Sequence, residues 1–97
     1  VWERAAALVE LCARQPPADA ELRQQTMRAV KSVALNVAEG AALAGRARAR
    51  FFRTARASLV EVTAAYELAE LLGEAVPTSE VAELADHIYA MLTKLLR

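Results

Sequence analysis

Residues 19–45 read DAELRQQTMRAVKSVALNVAEGAALAG. Leu22, Thr26, Val30, Val33, Val37 and Ala41 recur at three- and four-residue steps, the period of an amphipathic α-helix with one buried stripe. Asp19 is placed to cap its N-terminus and Gly45 to end it. The spacing predicts a helix of roughly 25 residues, about 37 Å long at the standard rise. No stretch of the chain shows the alternation of a strand, so the surfaces that cover this stripe must be other helices.

The same period holds on both sides. Upstream, Val1, Ala5, Leu8, Val9 and Cys12 form a stripe that runs to about Arg14, where Pro16 and Pro17 stop it. Downstream, a third helix starts near Arg46 or Ala47 and buries Phe51, Phe52, Ala55, Leu59, Val62, Tyr66 and Ala69 before Gly73. Pro77 then punctuates, Thr78 or Ser79 is the expected cap, and Val81, Leu84, Ile88, Met91, Leu92 and Leu95 line a fourth helix. Four amphipathic helices joined by short connections put sequence neighbours antiparallel. The expected fold is all-α, an up-down-up-down four-helix bundle over residues 1–97 as a single domain.

Composition narrows the function classes. Of 97 residues 56% are hydrophobic but only 5% aromatic, so alanine supplies much of the apolar surface and the isolated monomer should be marginal. Self-association is the natural remedy. One cysteine excludes an intrachain disulfide framework and any multi-cysteine zinc site, and the apolar runs are too short to cross a bilayer. A reducing, cytoplasmic setting without membrane contact is the expectation. No charged n-region followed by an apolar h-region opens the chain, and its start at Val1 rather than Met leaves room for natural residues ahead of it.

Net charge is zero but unevenly spread. Residues 23–56 hold eight basic side chains and one acid, a net +7, whereas residues 57–97 hold seven acids and two bases, a net −5. The alternating topology gathers Arg46, Arg48, Arg50, Arg53, Arg56, Lys94 and Arg97 at one end of the bundle. Glu67, Glu70, Glu74, Glu80, Glu83 and Asp86 gather at the other. Arginines at the start of the third helix and glutamates at its end both oppose its macrodipole, at roughly 0.3–1 kcal/mol for each exposed charge. These arginines therefore serve a contact outside their own helix, either an anionic ligand or acids of a neighbouring subunit.

Three constellations bear on function. Arg46, Arg50 and Arg53 share a helical face opposite the core, suited to phosphate oxygens, with Arg48 and Arg56 alongside; ordinary solvated arginines give the same pattern. Phe51 and Phe52 could stack on bases, but their position on or beside the apolar stripe assigns them to the core. Arg28, Ser32, Asn36 and Glu39 fall within about 80 degrees of one another, opposite the valine stripe, with Gly40 next to them where a backbone could approach closely. That second face is either solvated or a registered subunit interface. His87 and Glu83 have the spacing of two metal ligands, yet there is no second histidine and no nucleophilic arrangement, so no metal, cofactor or catalytic residue is expected and the chain reads as a non-enzyme. Cys12 sits on an apolar line as a small buried hydrophobe.

Leu22, Gln25, Arg28, Ala29, Ser32, Val33, Asn36, Val37, Ala38, Glu39 and Gly40 resemble the L-x-x-Q-x-x-R-A-x-x-S-I-x-x-N-I-A-E-G signature of a bacterial four-helix-bundle family. That family was first associated with intervening sequences in 23S rRNA genes and is related to accessory variability proteins of diversity-generating retroelements. Phe51, Ala55, Arg56, Ser58, Leu59 and Glu61 are similar to its F-x-x-x-A-R-G-S-x-x-E segment, and Val1–Trp2 to its opening V-W. The resemblance covers nearly the whole chain. It implies a homopentameric ring with a basic surface about its axis and, for the retroelement relatives, binding of RNA or DNA together with a reverse transcriptase. It also implies structural or interface roles for Ser32, Asn36, Glu39 and Gly40, none of them catalytic. The chain departs from the pattern at Ala47 and Arg48, where Glu-Phe is usual, at Ala57 in place of Gly, and at Thr63 in place of a frequent Glu. Arg48 falls on the extension of the core stripe, so either the third helix enters the bundle a turn later or this arginine points out of its end.

The combined expectation is a homo-oligomeric, pentameric nucleic-acid adaptor. Arg46, Arg48, Arg50, Arg53 and Arg56 would hold phosphate, and Arg28, Ser32, Asn36, Glu39 and Gly40 would hold the subunits. The alternative is a protein-interaction scaffold in which the basic end of one chain meets the acidic end of another. The scaffold predicts assembly that salt disrupts, whereas the adaptor predicts assembly that survives salt and polynucleotide binding that does not.

Overall fold

A computed structural model describes residues 1–97 and contains four helices: α1 (Trp2–Arg14), α2 (Ala20–Ala41), α3 (Gly45–Leu71) and α4 (Thr78–Leu95). Each packs along its neighbours in chain order, and α4 closes the circuit against α1, while the diagonal pairs face each other only across the core. This is the up-down-up-down four-helix bundle. At about 1.5 Å per residue, α3 alone accounts for about 40 Å of the 43 Å long axis. No helix is long and apolar enough to cross a membrane.

The core follows the expected stripes. Leu8, Val30, Val33, Val37, Leu59, Val62, Tyr66, Val81, Ile88 and Leu92 are essentially inaccessible and form one continuous cluster with Phe52 and the small residues between them. Three expectations fail, at the end of α2, at the C-terminus and at a cap: α2 stops at Ala41, which is exposed, and Gly45, expected to end that helix, opens α3 instead. Leu95 is half exposed, and Leu96, beyond the helix end, packs against the core instead. Helix α4 has Pro77 at its cap position with no side-chain capping bond, and the Thr78 hydroxyl donates to the Tyr66 carbonyl of α3 at 3.5 Å. At the other predicted cap, Asp19 Oδ2 accepts from the Leu22 N–H at 3.0 Å.

The α2–α3 pair is the closest in the bundle, and small residues set its register. The Ser32 and Ser58 hydroxyls meet at 2.8 Å. Eight residues along, Gly40 lies directly against Phe52, where a Cβ would fall 2.5 Å from one ring carbon. Gly45 and Gly73, at the start and just past the end of α3, take φ of 61° and 93°, a region that side chains with a Cβ resist. Each lets the chain reverse within a few residues.

At the opposite end from the arginines, buried polar groups tie α1 to α3. Tyr66 Oη donates to the Gln15 carbonyl, at the C-cap of α1, at 2.9 Å. Burial, with a further push from its hydrogen bond to Cys12, holds the Tyr66 hydroxyl well above its ordinary range. Burial likewise raises the Cys12 thiol, partly offset by the same bond. Both groups are therefore neutral, and Cys12 is the buried hydrophobe its position suggested.

Candidate functional site

The five candidate arginines divide into two groups. Arg48 turns back over the end of α2, where its Nε donates to the Gly40 carbonyl at 3.2 Å and Nη2 to the Ala41 carbonyl at 3.4 Å. The Gly40 carbonyl also accepts from the Leu43 N–H at 3.2 Å, so Arg48 adds a second bond there and reaches the Ala41 carbonyl at the helix C-terminus as well. Of the two alternatives for Arg48, the side chain does not point out of the bundle end but lies along the adjacent helix, and α3, although helical from Gly45, has its first buried residue at Phe52, about a turn beyond Arg48. Arg56 also reaches across to a neighbour. Its Nη1 donates to Thr93 Oγ1 at 3.1 Å, its guanidinium lies 5.2 Å from the Tyr89 ring centroid, and its Nε is buried without a partner.

Arg46, Arg50 and Arg53 remain exposed. At positions i, i+4 and i+7 they form one outward stripe on the first turns of α3. The Arg50 guanidinium lies 5.2 Å from the centroid of the Phe51 ring. Phe52 is 2% exposed and Phe51 half-buried, so neither offers an open face for base stacking. Lys94 and Arg97, both exposed, lie at the C-terminus of α4, which the antiparallel packing brings to the same end.

The polar line of α2 is likewise split. Ser32 is taken up by Ser58 of α3, and Asn36 Nδ2 donates to the Ser32 carbonyl at 2.8 Å and hydroxyl at 3.1 Å. Gly40 is buried beneath Phe52. Arg28 and Glu39 are exposed, so of this group those two and the outer part of Asn36 are presented to the surroundings. His87 Nδ1 lies 2.8 Å from Arg4 Nη1 of α1. Because a guanidinium only donates, this ring nitrogen accepts and is not free for a metal. No three His, Cys, Asp or Glu side chains converge on a point that could hold a metal ion.

One residue that periodicity did not single out has a defined role. Both Glu74 oxygens accept from backbone N–H groups at the start of α2, Oε1 from Ala18 at 2.6 Å and Oε2 from Asp19 at 3.0 Å. A carboxylate at a helix N-terminus satisfies orphan donors and complements the dipole. The clue was its place just after Gly73, opposite the start of α2 in any antiparallel arrangement.

A family model described as 23S rRNA-intervening sequence protein matches residues 1–95 of the 97. No curated protein matches the chain.

Proposed function

We propose, for a chain that belongs to the 23S rRNA-intervening sequence protein family, a non-enzymatic role as a self-assembling adaptor that binds RNA or DNA through its backbone phosphates. The observation that carries this reading is the exposed stripe of Arg46, Arg50 and Arg53. Arg48 and Arg56 are accounted for by contacts inside the protomer; these three are not, and Arg46, in the first turn of α3, opposes the helix dipole where it stands. Guanidinium groups on one helical face bind phosphate oxygens without reading base identity, so recognition is by charge and shape. Lys94 and Arg97 extend the positive surface at the same end. The family resemblance adds a reverse transcriptase as a candidate protein partner, and a five-fold ring as the assembly.

Assembly matters because three phosphate contacts are weak. Contacts to single-stranded nucleic acid give a salt slope of about −0.7 per phosphate, so three contacts lose roughly 20-fold in affinity for a four-fold rise in salt. Repetition of the patch around a ring raises the effective affinity if one strand can reach several copies.

The test is fluorescence anisotropy of a labelled single-stranded RNA, from low to high salt, with the wild-type protein and an Arg46→Glu, Arg50→Glu, Arg53→Glu variant. Salt-dependent binding that the variant loses supports the adaptor. Binding that the variant retains, or none with the wild type at the lowest salt, refutes it and favours a protein scaffold.

A further inference from the structure

Neither phenylalanine beside the arginine stripe can stack on a base, but another aromatic side chain lies further along the same surface. Arg46, Arg53, Val60 and Glu67 recur every seven residues along α3. The exposed face that carries the arginines therefore continues, reaching Val60 about 10 Å beyond Arg53 and then Glu67. Beside that continuation runs a groove of about 200 Å³ between α3 and α4, lined by Val60 and Glu67 from one helix and by Asp86 and Tyr89 from the other, with Leu59 and Ala85 buried at its floor. Val60 is 59% and Tyr89 39% exposed, so the walls are apolar surface open to solvent. The volume falls below the roughly 300–1,000 Å³ of sites for drug-sized ligands and suits a single flat ring system. No residue of α2, the helix with the expected subunit contact, lines the groove.

We infer that this groove holds one unpaired base of the strand whose phosphates the arginine stripe binds, stacked on Tyr89 with its amino group directed to Asp86 or Glu67. The inference rests on the nucleic-acid reading above and adds a single-strand subsite with a base preference to a contact that otherwise reads only charge. Tyr89 is set for stacking in advance. The Arg56 guanidinium lies over its ring, 5.2 Å from the centroid, and is itself held by Thr93 Oγ1 at 3.1 Å. That contact orders the ring before a ligand arrives, which lowers the cost of stacking on it, and gives Arg56 a positioning role. The charges give the groove a direction. Arg56 stands at the end nearer the stripe, with exposed Arg53 three residues before it and exposed Arg97 four residues beyond Thr93; Glu67 and Asp86 stand at the other end. The acids repel phosphate, so a nucleotide enters with its phosphate toward the arginines and its base toward the carboxylates. Carboxylates only accept hydrogen bonds. Cytosine, adenine and guanine each present an amino donor, whereas uracil carries carbonyls in place of an amino group. A base stacked and paired inside a duplex cannot enter at all.

The test compares labelled oligocytidine and oligouridine of equal length by fluorescence anisotropy at one low salt concentration. The proteins are the wild type, Tyr89→Ala, Tyr89→Phe and a double Glu67→Ala, Asp86→Ala variant. All three positions are exposed, and circular dichroism checks that each variant is folded. The wild type should bind oligocytidine roughly 5-fold or more tighter than oligouridine. Tyr89→Ala should weaken oligocytidine binding roughly 10-fold, while Tyr89→Phe keeps the wild-type value. The double variant separates base contact from simple charge. Removing two acids raises the affinity for both oligonucleotides through charge alone and would leave their ratio unchanged, whereas the base contact predicts that the ratio falls to near unity. If Tyr89→Ala does not fold, the wild-type ratio and its loss in the double variant still decide. Equal affinities with the wild type, a ratio that survives in the double variant, or a folded Tyr89→Ala protein that binds oligocytidine like wild type overturns the base subsite, while the arginine contact stands if the Arg46→Glu, Arg50→Glu, Arg53→Glu variant loses both oligonucleotides. A wild type that binds neither oligonucleotide overturns both readings.

Discussion

Replacing Gly40 by alanine tests the tightest contact in the bundle. In isolation the change should help, because alanine in a helix interior is favoured over glycine by about 1 kcal/mol. Here the added Cβ would stand 2.5 and 2.6 Å from two carbons of the Phe52 ring and 3.3 Å from a third. Carbon atoms pack at about 3.5–4.0 Å, so the ring or the helix must shift by about 1 Å. Phe52 is 2% exposed and belongs to the core cluster, which leaves its ring no solvent to move into. The backbone is held nearby by the Ser32–Ser58 bond and by Arg48 on the Gly40 carbonyl. Overpacking of this kind costs about 1–3 kcal/mol, and with two ring carbons struck at once the upper end applies. Net destabilisation is then about 2 kcal/mol, which for a domain of this size lowers Tm by roughly 8–16 °C. The assay is thermal unfolding by circular dichroism of Gly40→Ala, Phe52→Leu and the double variant. Shortening Phe52 makes room, so the double variant should be more stable than the sum of the single changes by about 1 kcal/mol or more. Gly45→Ala, with nothing within 4 Å of its added Cβ but a φ of 61°, serves as the control that Phe52→Leu does not rescue. A Gly40→Ala protein that melts several degrees higher than wild type would refute the close approach, and with it the view that this glycine belongs to the protomer rather than to a subunit boundary.

The Thr26 hydroxyl is fully buried with no hydrogen-bond partner; Thr26→Val keeps the shape and removes the orphan, so stability should rise by about 1 kcal/mol, and an unchanged or lower Tm would show that the hydroxyl is satisfied in solution. Glu74→Gln weakens the clamp on the Ala18 and Asp19 N–H groups and should cost about 1 kcal/mol in chemical denaturation, less at high salt because the site is partly open; a salt-independent loss would contradict the charge argument. Because folding raises the Tyr66 and Cys12 proton affinities above their ordinary values of 10.0 and 9.0, the unfolded chain releases protons first on the alkaline side. Their contribution is fully present below about pH 9 and is lost as pH rises beyond it. Tyr66→Phe, which gives up the bond to the Gln15 carbonyl at neutral pH but keeps Cys12, should therefore narrow its stability gap to wild type as pH rises above about 10; parallel profiles would argue against it.

What could be read from the sequence is what each helix settles by itself. The stripes of α2 and α3, the Asp19 cap and the stops at the prolines and Gly73 depend on local spacing, and they stand in the structure with shifts of a residue or two. Contacts between helices depend on register, which a single-helix period does not contain. Ser32 looked like part of a solvated or intersubunit face because it lies opposite the valines on the wheel. The closeness of α3, permitted by Ser58 and Gly40, brings that flank of α2 into a helix–helix contact. The cap of α4 depends on register in the same way: Pro77 takes the cap position, and the Thr78 hydroxyl is oriented to donate to the Tyr66 carbonyl of the preceding helix rather than placed to accept from the first turn.

The reversed charge of α3 shows how the two scales combine. Judged against its own dipole, α3 has arginines where acids belong and a glutamate just past its end where a base belongs. Judged against α2, which runs alongside it in the opposite direction, the same residues are in the right places. Arg48 satisfies carbonyls at the α2 C-terminus, and Glu74 satisfies N–H groups at its N-terminus. The neighbouring helix is thus a third explanation for the anomaly, beside an anionic ligand and a second subunit, and it absorbs the residues nearest the α2 ends. Arg56 is absorbed by α4 in the same way. Arg46, Arg50 and Arg53 are exposed, and interhelix pairing of the kind that holds Arg48 and Arg56 does not account for their placement. If these three were only a solvated surface, changing them to glutamate would relieve the α3 dipole and raise Tm slightly with no other consequence. The adaptor reading expects the same small gain in Tm together with the loss of RNA binding, and only that pairing of results distinguishes a stripe kept for a ligand from one merely tolerated.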